Sequence, residues 1–94
     1  MMTHGNKPYQ IEYLISVIKE DIVLLPKKTK AIIKKAIEER LMVDPIGFGK
    51  PLRYNLRGHR RLRVGDYRVV YRINSNLKTV IIVAIKHRKD IYEE

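Results

Sequence analysis

GHRRLRVGDYRVVYRINSNLKTVIIVAIKHRKDIY, residues 58–92, decides how this chain folds. Read with a period of two, its first half is a β-hairpin turned by Gly65-Asp66, because glycine accepts φ > 0 at the first central position of a two-residue type II′ turn. With those two residues as the loop, Val64 faces Tyr67, Arg63 faces Arg68, Leu62 faces Val69, Arg61 faces Val70 and Arg60 faces Tyr71. Directly opposed residues share a sheet face, and successive residues alternate. One face therefore carries Leu62, Val64, Tyr67, Val69 and Tyr71, while the other gathers Arg61, Arg63 and Arg68 around Val70. Like charges placed opposite one another weaken a sheet, so packing gives no reason to set Arg63 against Arg68. An anionic ligand gives one; a solvated outer face whose long side chains fan apart is the plainer alternative.

The bulk composition narrows the field. A chain of 94 residues, 45% apolar, is one small domain near the size at which a single core suffices. It has no cysteine, so neither a disulfide nor a thiolate metal site is available, and its stability rests on packing. The opening MMTHGNKPYQ has no apolar signal segment and no apolar run reaches the length of a membrane span, which points to the cytoplasm and away from membranes. A formal net charge of +10 favours a polyanion as partner, either nucleic acid or an acidic protein. The excess is local: from Arg53 to Arg72, seven arginines against Asp66 alone leave +6. Arginine suits planar, bidentate phosphate contacts. Lysines instead populate the first half, at Lys27, Lys28, Lys30, Lys34 and Lys35.

Taken in order, residues 1–7 read as a loose tail. Tyr9 to Leu14 alternates as a half-exposed strand. Ser16 is placed to cap a short helix, Val17 to Leu25, with Ile18, Ile22 and Leu25 on one side. Pro26 ends it, and a second helix runs from Lys27 to Val43 with Ile33, Ala36, Ile37, the Arg40 stem and Leu41 as its inner stripe. Asp44-Pro45 stops that helix. The segment IGFGKPLRYNLRG reads as a loop anchored by Phe48 and Leu52. Strands follow at His59 to Val64, Tyr67 to Ile73 and Lys78 to Ile85, with NSN as the second turn; TVIIVAI, apolar on both sides, is expected to be the central, covered strand and not an exposed edge. The order βααβββ predicts an α+β domain: an antiparallel β-meander plus the N-terminal strand, with an α-helical hairpin packed on one face. The apolar hairpin face belongs under the helices, which leaves the arginine face open as a groove.

The strand–helix–helix opening, the loop GKPLRYNLRG (49–58), the hairpin RRLRVGDYRVVYRI (60–73) and the tail IKHRKDIY (85–92) together resemble the RelE/ParE superfamily of bacterial and archaeal toxins. The resemblance spans Tyr9 to Tyr92 and implies a single RelE-like toxin domain over residues 1–94. It implies a type II toxin neutralised by a cognate acidic antitoxin. RelE-like members cut mRNA in the ribosomal A site, where rRNA is a further partner, and use no metal or cofactor; ParE-like members poison DNA gyrase. Carried over by position, the catalytic set is Arg61, Arg68, Lys86 and Tyr92, with His59, Arg60, Arg63, His87 and Arg88 binding RNA. Lys86 and Arg88 compete for the basic position after the last strand. A third reading is a catalytically weak basic module whose main partner is the antitoxin.

The chemistry the resemblance implies is 2′-OH attack on the adjacent phosphate. It needs a proton acceptor at the 2′-oxygen, neutralised non-bridging oxygens and a proton for the leaving 5′-oxygen. Arginine serves the second need and not the first, since its pKa lies above about 12. Lys86, crowded by cations, would titrate lower and become an acid or base; His59 and His87 are the alternatives, imidazole being suited to the task near neutral pH. The strand entering the hairpin departs from the RelE-like pattern, offering His59, Arg60, Arg61 and Arg63 where lysines are expected.

Overall fold

A computed structural model describes residues 8–90. The expectations for the tail 1–7 and for Tyr92 lie outside the described residues. Five strands form one sheet in the order β1-β5-β4-β3-β2, where β1 is Gln10–Tyr13, β2 is Lys50–Pro51, β3 is Arg60–Val64, β4 is Tyr67–Asn74 and β5 is Thr79–His87. β3, β4 and β5 are the expected antiparallel meander, and β1 pairs parallel with β5 through Gln10 to Thr79 and Tyr13 to Ile82. The hairpin register is the one the turn dictates, from Val64 opposite Tyr67 to Arg60 opposite Tyr71. Gly65 supplies the turn with φ of +60°, a region costly for any side chain with a Cβ.

The helical layer lies on one face. α1, Lys27–Ala36, buries Ile33 and Ala36, and continues as a π-helical turn, Ile37–Leu41, that buries Ile37 and Leu41. These four meet Leu62, Val64, Val69, Tyr71, Val80, Ile82 and Ile85 from the sheet in a single core. The inner stripe is as read, except that Arg40 is exposed and adds no stem to the core. The expected first helix is shorter and differently wound. Val17–Asp21 is π-helical, closed by the Ile22 N–H on the Val17 carbonyl at 2.9 Å, and it turns Val17 and Asp21 inward while Ile18 is 51% exposed. Ser16 has helical dihedral angles and makes no side-chain cap. The turned-in Asp21 carboxylate has its partners on β5.

The segment between helices and hairpin has more structure than a loop. Asp44 accepts the Gly47 N–H at 3.0 Å and caps α2, Pro45–Phe48. The chain then adds β2 as a fifth strand beside β3, with Lys50 opposite Arg61 and Pro51 opposite Arg60. Phe48 is half-exposed and is no anchor, whereas Leu52 is buried. The fastening is polar instead. Tyr71 donates to the Pro45 carbonyl at 2.6 Å, and the Arg60 guanidinium donates to the carbonyls of Ile46 at 2.7 Å and Gly49 at 2.9 Å. A Cβ at Gly49 would lie 1.8 Å from the Tyr71 oxygen, so glycine is required there by space. Among the described residues no helix is long and apolar enough to cross a membrane.

Candidate functional site

On the face away from the helices the strand register aligns cations in rows. Arg63 on β3 stands opposite Arg68 on β4, and Arg68 opposite Lys86 on β5. Directly opposed Cβ atoms in a sheet are about 5 Å apart, so three basic side chains cross three strands within roughly 10 Å. The next row holds Lys50 on β2, Arg61 on β3, Val70 on β4 and Ala84 on β5. Val70 and Leu52 are buried yet stand apart from the helix-side core, and they form the apolar floor of this face. The face is not uniformly open as expected: Arg68 is 8% exposed and Arg61 half-buried, while Arg63 is exposed.

Lys86 reaches this face because of an irregularity in β5. Val70 pairs with Ala84 but Tyr71 pairs with Ile82, which leaves Val83 as an extra residue. Such a bulge reverses the alternation beyond it and re-aims the side chains that follow. Val80 and Ile82 thus share the core face with Ile85, and Lys86 falls among the arginines.

Asp21 anchors the lysine. It is a buried carboxylate, 6% exposed, at the edge of β5 beyond the end of β1. One oxygen accepts the Ile85 backbone N–H at 2.8 Å, and the other accepts the Lys86 ammonium at 2.7 Å. The hydrogen bond to Asp21 raises the Lys86 pKa above its ordinary value, against partial desolvation, and the charges of Asp21, Glu20 and Asp90 act the same way. This corrects the expectation of a lysine made easier to deprotonate by its cationic neighbours. Lys86 is an ion-paired cation whose charged form Asp21 favours.

Two other expected RNA-binding residues lie on the wrong side. Arg60 pairs with Tyr71 on the core face, and its guanidinium donates to the carbonyls of Ile46 in α2 and Gly49 just after it. Burial raises the Tyr71 phenol above its ordinary pKa, against the opposing hydrogen bond and charge of Arg60. His87 pairs with Tyr67 on the helix-facing side, where the two rings meet edge to face at 5.2 Å, and its Nδ1 accepts the Lys89 N–H. Arg88 sits at the hairpin tip, its backbone N–H on the Asp66 carbonyl at 2.8 Å and its Nε 3.9 Å from the exposed Asp66 carboxylate. His59 continues the alternation of Arg61 and Arg63, since the Leu52 N–H donates to the His59 carbonyl one rung beyond the Pro51–Arg60 pair. Its Nδ1 is buried and has no hydrogen-bond partner. The open face therefore brings together Arg61, Arg63, Arg68 and Lys86, with His59 at one end and Arg88 at the other. Reading the sequence alone missed Lys50 and Asp21. Asp21 had a signal, since Val17, Asp21 and Leu25 recur every four residues, but a carboxylate on an inner stripe is legible only with its partners in view.

Residues 11–92 match the family described as the ParE toxin of type II toxin–antitoxin systems, parDE. Toxin RelG of Mycobacterium tuberculosis is 35% identical over 85 residues, covering 90% of this chain and 97% of that protein. Toxin RelE of the same organism is 35% identical over 87 residues, covering 93% of this chain and 89% of that one. Among solved structures, the toxin–antitoxin complex RelBE2 from M. tuberculosis superposes with a TM-score of 0.82 at 33% identity, over 89% of this chain and 95% of that one. The isolated Escherichia coli RelE toxin shares the fold, with a TM-score of 0.69 at 17% identity over 84% of this chain and 83% of that one.

Proposed function

Because the chain belongs to the RelE/ParE superfamily and is the toxin of a type II toxin–antitoxin system, we propose that it is an endoribonuclease that cuts translated mRNA in the ribosomal A site without a metal ion. The observation that carries the reading is the row Arg63–Arg68–Lys86, with Arg61 beside it, on the side of the sheet opposite the helices. Three adjacent cations on one small face match the charge that builds on a phosphate under in-line attack. Lys86, held protonated by Asp21, supplies electrostatic stabilisation along with the arginines. The 2′-oxygen gives its proton to a base and attacks the adjacent phosphorus. The bond to the 5′-oxygen breaks, and that oxygen takes up a proton, leaving a cyclic phosphate and a free 5′-hydroxyl. Among the described residues His59 is the proposed base, since His87 faces the helices and Lys86 is ion-paired. Arg88 is the proposed donor-side cation, and Tyr92 the residue that orients the sugar.

The complexes of RelE-type toxins with RelB antitoxins among the structural relatives support a cognate antitoxin as partner. An acidic one suits the net charge of +10. The lysines of α1, on the layer opposite the arginine face, are proposed to touch rRNA phosphates, and the cytoplasm is the proposed place of action. The test is induction of the chain without antitoxin, followed by primer extension on translated messages. Codon-phased cuts are expected; intact messages from a folded, free toxin refute the nuclease. A second reading, inhibition of DNA gyrase, draws on the match to the ParE family and on the arginines that replace hairpin lysines. Loss of supercoiling by purified gyrase with mRNA left whole would select it.

A further inference from the structure

We propose that Tyr54 is a stacking platform for an RNA base next to the arginine face; this rests on the RNA reading above and assigns its neighbouring subsite. Four observations carry it. Tyr54 is 73% exposed, an aromatic ring left in solvent on a small domain. Its backbone is left-handed, with φ of +58°, which is uncommon for any residue but glycine and an outlier for a bulky one. Arg53 and Arg57 flank it, both exposed, and residues 53–59 contain no acid. The turn that presents it is tightly bonded: Leu56 N–H to the Arg53 carbonyl, Arg57 N–H to Tyr54 and His59 N–H to Leu56, each at 3.0 Å.

Position links the ring to the basin. The turn closes the β2–β3 ladder, and its last rung, the Leu52 N–H on the His59 carbonyl, lies two residues from the Lys50–Arg61 pair. That is about 7 Å along a strand. Tyr54 follows two residues beyond that rung, on the turn that ends the ladder, so single-stranded RNA running from Arg61 past the end of the ladder reaches the turn that carries the ring, with Arg53 and Arg57 for the flanking phosphates. Recognition of unpaired RNA relies on this combination of aromatic faces and guanidinium groups. A protein side chain would also cover a tyrosine, but an acid-free segment with two arginines favours phosphate on both sides of the ring. Backbone strain held in a sparsely populated conformation recurs at ligand-binding positions, and here it coincides with an aromatic ring in solvent.

The experiment measures binding of a short 2′-O-methyl oligoribonucleotide, which the protein cannot cut, carrying 2-aminopurine at successive positions. Parent, Tyr54→Ala, Tyr54→Phe, Tyr54→Gly and Arg61→Ala are compared. Parent and Tyr54→Phe should quench 2-aminopurine at one position. Tyr54→Ala should bind roughly five- to a hundredfold more weakly and lose that quench. Tyr54→Gly, which relieves the backbone and lacks the ring, should behave like the alanine variant and so separate ring from strain. RNA binding unchanged in Tyr54→Ala, with Arg61→Ala impaired, overturns the platform and leaves the basin standing. Unchanged RNA binding joined to a weakened complex with antitoxin overturns it in favour of a protein contact. A parent that binds no RNA overturns the platform alone, since the nuclease reading stands or falls on codon-phased cuts in translated messages.

Discussion

Replacing Asp21 tests whether the helical layer and the cationic row are mechanically joined. In Asp21→Ala the Ile85 N–H loses its acceptor at 2.8 Å in a buried setting, and an orphaned buried donor costs about 1–3 kcal/mol. The Lys86 pair at 2.7 Å is lost as well. Because that lysine side chain is 40% exposed, solvent screens the pair and its share is about 0.5–1 kcal/mol. The expected loss is about 1.5–4 kcal/mol, which for a domain of this size lowers Tm by roughly 6–30 °C. Asp21→Asn keeps an acceptor for Ile85 and should lose only about 1 kcal/mol. Urea unfolding of parent, Asp21→Asn, Lys86→Met and the double variant gives the coupling, expected near 1 kcal/mol. The alkaline limb fixes the sign. A lysine whose folded pKa is raised contributes stability fully below its ordinary 10.5, and loses it as pH rises through the folded value. The gap between parent and Asp21→Asn should therefore narrow above pH 10.5. Asp21→Ala within about 0.5 kcal/mol of parent, a surface-substitution value, or a coupling of zero, refutes the clamp.

Three further outcomes follow from other parts of the structure. His59→Gln should slow ribosome-dependent cleavage by roughly 10²–10⁴-fold, the range for a lost general base, with RNA affinity little changed; single-turnover cleavage and filter binding check both. Gly49→Ala should lower stability in thermal melts by about 1–3 kcal/mol through overpacking, because its Cβ displaces the Tyr71 hydroxyl from the Pro45 carbonyl. Reversing charge with Lys28→Glu and Lys34→Glu should weaken ribosome binding and reduce the salt slope by about one per lost phosphate contact; unchanged sedimentation with ribosomes would remove α1 from the interface.

The hairpin was readable because a two-residue turn at Gly65 leaves one register, and that register assigns every face from Arg60 to Tyr71. The second helix was readable from its apolar spacing; β5 is no edge strand, as its composition suggested, but it lies second in the sheet, beside the central β4, with Ile81, Val83 and Ala84 only half-buried. β2 has two residues, one of them proline, too few to alternate. Arg60 was legible in principle, since the turn that aligned the arginines also set it opposite Tyr71 on the core face. Lys86 and His87 were not, because parity counted from the NSN turn fails at the extra Val83. Asp21 needed the third dimension: its partners Ile85 and Lys86 are 64 and 65 residues away.

The most direct measurement sets the purified chain and its Arg68→Ala variant, shown to be folded by circular dichroism, on ribosomes programmed with a defined message. If the cationic face is where the phosphate is broken, the parent cuts the message at the A-site codon and the variant cuts it orders of magnitude more slowly. Equal cleavage by both proteins, or none by a parent that stalls gyrase instead, contradicts that assignment.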